Sequence, residues 1–236
     1  MSVTRLVVAG AALAVGTVRV PAETAHHARV ARVMPGDPVE VLDLVGTVGI
    51  GTLTRWDGGT CVVEVERVEY GRGEPPAPLV LGLAALHTQA FDWAVEKATE
   101  LGATAIVPVL AARVQGGRHA TRVERWQRLA DAAVAQCGRS RPPRVCLPLP
   151  LDGFAGTAHG VRFVADRGAP VPRPVATGAD GVTVLVGPEG GFTADELAAV
   201  RAAGFAGLPL GPRTLRAETA AVAALTVAQH LAGWLR

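Results

Sequence analysis

The sequence predicts an α/β protein built on a mostly parallel sheet, with a smaller β-rich segment in front of it. Beyond residue 78, short apolar runs alternate with stretches of helical period, the pattern of strand–helix–strand units. Up to residue 70 the runs are short, β-branched and separated by turn signals. Between the two lies Pro/Gly-rich GRGEPPAP at 71–78, which marks a domain boundary. The expected division is therefore 1–70, a linker at 71–78, and 79–236.

In the first segment, strands are expected at 5–9, 39–44, 49–54 and 60–68. Turn signals Pro35-Gly36-Asp37 and Asp57-Gly58-Gly59 separate them. Val62, Val63 and Val65 alternate loosely with Glu64 and Glu66, which suits a half-exposed strand. The stretch from His26 to Arg32 reads as a short helix. The apolar run at 6–16 has the look of a secretory core but is broken by Gly10 and is discounted. No stretch is long enough to span a membrane.

In the second segment, 79–84 reads as a strand. Phe91, Ala94, Val95, Ala98 and Leu101 then recur at helical spacing, with Gly102 as the stop. A buried strand follows at 105–110. Thr121 and Glu124 have capping-box spacing ahead of a helix whose core face carries Trp126, Leu129, Ala130 and Ala133. A strand at 161–165 ends at Asp166, and 155–160 and 167–180 read as loops.

The carboxyl-terminal part is densest in signals. The run Val182, Val184, Leu185, Val186 is a buried strand ending in Gly187-Pro188-Glu189-Gly190-Gly191. Thr193 and Glu196 form a capping box for the next helix, and Gly204 stops it. A short strand at 208–210 enters Gly211-Pro212-Arg213-Thr214-Leu215-Arg216, and an Ala-rich helix opens with Glu218-Thr219. Glycine loops at two strand ends, one of them carrying arginines and a carboxylate, make a ligand crevice of the kind open α/β sheets form. No G-x-G-x-x-G follows an early strand, which excludes a dinucleotide-dehydrogenase reading.

Net charge is only +2, but it is unevenly spread. Residues 113–144 hold eight Arg against Glu124 and Asp131, and Arg outnumbers Lys 22 to 1 over the chain. Guanidinium forks suit phosphate contact, although an Arg-rich helix can equally be a solvated face. Cys61, Cys137 and Cys146 are odd in number and lack metal spacing. They read as apolar fillers in a reducing, cytoplasmic setting, with no metal expected.

The two blocks LVGPEGGFTADEL and LGPRTLRAETAA resemble the signature pair of the ribosomal small-subunit RNA methyltransferase E family, of the SPOUT superfamily. The resemblance implies a SPOUT fold with a C-terminal trefoil knot, preceded by a small PUA-like β-barrel. It implies S-adenosylmethionine as cofactor, N3 of a uridine in 16S ribosomal RNA as acceptor, and a homodimer. Carried onto this chain, it makes Asp166, Val186, Gly187, Pro188, Glu189, Gly190, Gly191, Leu210, Gly211, Leu215, Thr219 and Ala220 cofactor residues. Arg216 would stabilise negative charge on the uracil oxygens and Arg213 would grip a phosphate. Glu218 would accept the proton or hold Arg216 in place, unless it only serves a helix N-terminus. Arg5, Arg32, Arg139 and Arg141 are the expected RNA contacts.

One departure stands out. Where the family carries a basic segment before Ala98-Thr99-Glu100-Leu101-Gly102, this chain has Leu86-His87-Thr88-Gln89-Ala90. Other readings are a methyltransferase acting on transfer-RNA ribose, and a non-catalytic RNA-binding protein that keeps the fold.

Overall fold

The computed structural model describes residues 3–10, 12–84, 88–114, 122–176, 178 and 180–235. The chain forms two compact units. One runs to Glu74 and also takes in Asp131–Pro142, and the other comprises Pro75–Ala130 and the chain from Pro143 onward. The division thus falls inside the expected linker, but the transfer of Asp131–Pro142 to the first unit was not expected from the sequence. The cause is long-range hydrogen bonding. Glu74 pairs with Arg139 and accepts the backbone N–H groups of Ser140 and Arg141 at 3.2 and 3.1 Å.

In the first unit, strands β1 (Thr4–Val7), β2 (Gly16–Val20), β3 (Pro38–Leu42), β4 (Thr47–Asp57) and β5 (Thr60–Tyr70) form one sheet in the order β1-β3-β4-β5-β2. Only β1 and β3 pair in parallel. Helix α1 (Ala22–Val30) begins four residues earlier than expected, directly after Pro21. Pro is favourable there because its missing N–H would have had no helical partner. Ala25 and Ala28 of α1 pack on Leu6, Val20, Val41, Cys61 and Val63. Burial of Cys61 pushes its thiol upward, as suits an apolar filler.

Two polar groups tie this unit together. Asp43 is 2 % exposed, and its Oδ1 accepts the N–H groups of Val45, Gly46 and Thr47 at 2.8, 3.0 and 2.9 Å. That ring of donors holds the turn between β3 and β4, where Leu44 has a φ of +62°. Glu40 takes Arg5 Nε at 2.9 Å and both nitrogens of the Arg72 fork at 2.8 and 2.7 Å. Burial pushes the Glu40 carboxyl up, but hydrogen bonds and charge from Arg72 and Arg5 outweigh it and hold the group below the usual carboxylate range.

The second unit is a parallel sheet. Its strands are β6 (Leu79–Ala84), β7 (Ala105–Leu110), β8 (Arg144–Val145), β9 (Leu149–Pro150), β10 (Val161–Ala165), β11 (Val182–Val186) and β12 (Ala206–Leu208). The order is β12-β10-β11-β6-β7-β8, with β9 also on β7. Helices α2 (Thr88–Glu100) and α6 (Ala217–Leu231) cover one face, where Phe91, Val95, Leu225 and Ala228 meet Leu81 and Val184. Helices α4 (Leu151–Thr157) and α5 (Ala194–Ala202) belong to the opposite core, in which Phe154, Val200 and Phe205 meet Val164 and Leu185. Helix α3 (Val123–Cys137) sends the fully buried Trp126 ring to within 4.1 Å of the Phe91 ring. Truncating an aromatic so placed costs about 3–5 kcal/mol.

Two expectations need correction. Residues 155–157 belong to α4 and not to a loop. The last strand ends at Leu208, two residues before the expected limit, because Pro209 has no N–H to continue the ladder. Thr121 lies outside the described residues.

The capping box of α5 is formed as the spacing required: Thr193 Oγ1 accepts Glu196 N at 3.1 Å, and Glu196 Oε2 accepts Thr193 N at 2.8 Å. The second Glu196 oxygen accepts Ala112 N at 2.6 Å, tying the loop after β7 to the start of α5. Burial pushes Glu196 up. The hydrogen bonds from Ala112 and Thr193, helped by the Arg113 charge, outweigh it and leave the carboxyl below its ordinary 4.5.

Two outcomes follow. Asp43→Ala strands three donors, so chemical denaturation should show a loss of about 2–4 kcal/mol, with Asp43→Asn losing less. For Glu196 the folded value lies below the unfolded one. Its stabilisation is therefore fully present above pH 4.5 and is lost as the pH falls through the lowered folded value. Amide exchange at Ala112 and Thr193 should accelerate together across that acid window in the native chain. In Glu196→Gln the acid-dependent change should disappear.

Candidate active site

Because β10, β11 and β12 run parallel and adjacent, their carboxyl ends finish on one edge of the sheet. The segments leaving those ends enclose a cavity of about 300 Å³. Asp166 and Arg167 reach it from β10, and residues 186–192 from β11. Leu210, Gly211 and 213–215 reach it from beyond β12, with Ala217 and Ala220 from the first turn of α6. Its size lies at the lower end of ligand sites, and its lining mixes apolar walls with exposed backbone.

The loops are held by identifiable bonds. Arg167 Nη1 donates to Thr214 Oγ1 at 2.8 Å, joining two of them. Arg113 Nη1 donates to the Gly190 carbonyl at 2.6 Å, and Gly191 N donates to Pro188 O at 2.8 Å. Asp166 pairs with Arg201, while its Oδ1 accepts Gly168 N at 3.0 Å. Glycine is favoured at two points. A Cβ at Gly187 would come 3.0 Å from the Phe192 ring, and Gly211 has a φ of +94°.

Of the expected cofactor residues, all but Thr219 line this cavity, and Arg213 lines it too. Thr219, Arg216 and Glu218 instead line a neighbouring cavity of about 640 Å³, with Gln89, Ala90, Trp93 and Glu189. Helical spacing explains the split. Ala217 and Ala220 lie three residues apart on one face of α6, whereas Glu218 and Thr219 are turned to another. No ion pair joins Glu218 to Arg216 among the described residues.

The four expected RNA contacts divide. Arg139 is 3 % exposed and paired with Glu74, so its guanidinium cannot meet a phosphate in this conformation. Arg5 is committed to Glu40 and to the carbonyls of Ala135 and Gln136 at 3.2 and 2.7 Å. Both serve the first unit's structure. Arg32, at a φ of +57°, and Arg141 remain exposed. His87 lies outside the described residues. Arg113, Arg167 and Arg201 were missed by sequence reasoning, because only the tertiary pairing links them to the glycine loops. Among the described residues no group of three His, Cys, Asp or Glu side chains could hold a metal ion. None of their helices is long and apolar enough to cross a membrane.

Comparison with known proteins gives a consistent answer. Residues 73–229 match the RNA methyltransferase domain family. The chain is 33 % identical over 230 residues to the ribosomal RNA small subunit methyltransferase E of Synechocystis, covering 94 % of this chain and 75 % of that one. It is 34 % identical over 233 residues to the protein of the same name from Mycobacterium bovis, covering 85 % and 80 %. Among solved structures, the ribosomal RNA small subunit methyltransferase E of Neisseria gonorrhoeae, bound to S-adenosylmethionine, superposes with a TM-score of 0.86. It shares 30 % identity and is matched over 98 % of both chains. Likeness of this extent, in sequence and in fold, makes the chain a member of the ribosomal RNA small subunit methyltransferase E family.

Proposed function

We propose that this chain methylates N3 of a uridine in 16S ribosomal RNA, with S-adenosylmethionine as donor. The observation that carries the reading is the cavity at the carboxyl ends of β10, β11 and β12, in which both glycine loops and the start of α6 meet. Its residues fit an adenosine-bearing ligand. Val186, Leu210, Leu215, Ala217 and Ala220 offer apolar walls for a purine, and the glycines let the backbone come close to its edge. Glu189 borders both cavities and brings negative charge toward a cationic donor. When bound, the cofactor carries the methyl group on a sulfonium centre.

The chain's own residues then have three tasks. Arg216, exposed beside the second cavity, stabilises negative charge on the uracil oxygens as N3 gives up its proton. Glu218 accepts that proton. Arg213 grips a flanking phosphate, for which a guanidinium fork is suited. N3 takes part in base pairing, so the uridine must be unpaired or extruded before it can react.

In the same reading, the five-stranded sheet of the first unit is a PUA-like barrel whose exposed Arg32 and Arg141 hold RNA. The segments around the glycine loops form a trefoil knot, and the protein works as a cytoplasmic homodimer. The family membership and the double signature support these points.

The function is tested by mass mapping of methylated uridines in 16S RNA from cells lacking the protein, with and without its return. One uridine should lose and regain its methyl group, and an unchanged map contradicts the reading. Arg216→Ala should leave the calorimetric affinity for S-adenosylmethionine within about twofold. It should slow methyl transfer by about 100- to 1000-fold. Unaltered transfer eliminates the role given to Arg216.

A further inference from the structure

Helix α2 buries Phe91, Ala94, Val95 and Ala98 in the core of the second unit. Trp93 lies off that stripe and is 42 % exposed, the most open of the four tryptophans. A single exposed apolar ring is ordinary on a protein surface, and what distinguishes Trp93 is the cavity it lines. The cavity it lines, of about 640 Å³, shares Glu189 with the glycine-loop cavity. Gln89 stands one helical turn earlier, and Arg216, Glu218 and Thr219 come from the start of α6.

These five polar side chains have no hydrogen-bond or ion-pair partner among the described residues. In contrast, Arg5, Arg19, Arg72, Arg125, Arg139 and Arg201 all meet carboxylates. An aromatic side chain that shares a cavity with unpaired donors and acceptors matches a flat, polar-edged ligand better than it matches an apolar one.

We propose that this second cavity is the acceptor-base site and that Trp93 is the platform on which the extruded uracil stacks. The inference rests on the methyl-transfer reading and deepens it. A base removed from its RNA neighbours loses stacking, and an exposed indole restores it without selecting among bases. Selection then falls to the edge groups. The Gln89 amide and the Arg216 fork donate to carbonyl oxygens, which uracil presents on both sides of N3. Trp93 is a positioning residue, since it orients the base without exchanging a proton with it.

The test compares the native chain with Trp93→Phe and Trp93→Leu. Single-turnover methyl transfer is measured on unmodified 16S RNA, quenching of tryptophan emission is followed with single-stranded oligouridine, and S-adenosylmethionine affinity is measured by calorimetry. Stacking predicts a 5- to 150-fold fall in transfer for Trp93→Leu, about the 1–3 kcal/mol of a base–aromatic contact. Trp93→Phe should stay within about threefold of native. Quenching should disappear in Trp93→Leu, and cofactor affinity should hold in both variants. Equal transfer by the native and Leu forms overturns the proposal, as does equal loss in the Phe and Leu forms. A weaker self-association of Trp93→Leu in sedimentation also overturns it, because Trp93 would then be a contact between copies. Failure of the native chain to bind the cofactor or transfer a methyl group would instead sink the methyl-transfer reading, and this proposal with it.

Discussion

Parallel pairing aligns Val164 with Leu185 and Ala165 with Leu208, and this register brings three strand ends to the same level on one edge of the sheet. Everything assigned to the carboxyl-terminal part depends on that edge. A parallel sheet buried on both faces tolerates only near-continuous apolar strands, and β11 has all five of its residues buried. The polar chemistry is thereby expelled to the loops. Loops that leave adjacent strands in the same direction must meet. The Arg167–Thr214 and Arg113–Gly190 bonds then set how closely they approach.

Arginine does two different kinds of work in this chain. In the first unit Arg5 and Arg72 share Glu40, and Arg139 is almost entirely buried against Glu74. Such pairs fix conformation, since removing one partner would leave the other charge buried without compensation. At the start of α6, by contrast, Arg216 has no carboxylate partner among the described residues and remains open to solvent. A guanidinium left unpaired beside a cavity is electrostatically available to a ligand, which is why charge counting alone could not separate the two roles.

What was legible in the sequence is what local chemistry decides. The capping box of α5, the apolar run of β11 and the turn glycines depend on neighbours within a few residues. Both glycine loops of the cavity could therefore be named in advance. Strand β2 was missed because only Val20 of its five residues is fully buried and its short apolar pattern follows a stretch with no turn signature. The burial of Arg139 was illegible for a different reason. Its partner Glu74 lies 65 residues away, and nothing local distinguishes a paired arginine from a free one. Thr219 was grouped with the cofactor residues on the family resemblance, whereas helical geometry turns it into the neighbouring cavity. The second cavity itself draws on α2 and α6, so no single stretch of sequence announces it.

The central claim is that the loops 187–191 and 210–215 together hold the methyl donor. The most direct measurement is a crystal structure of this chain with S-adenosylhomocysteine. The account predicts adenosine density between those loops, against Val186, Leu210 and Leu215, with the sulfur directed toward Glu189 and the second cavity. Adenosine bound elsewhere, or a complex in which the two loops stand apart with no ligand between them, would contradict it.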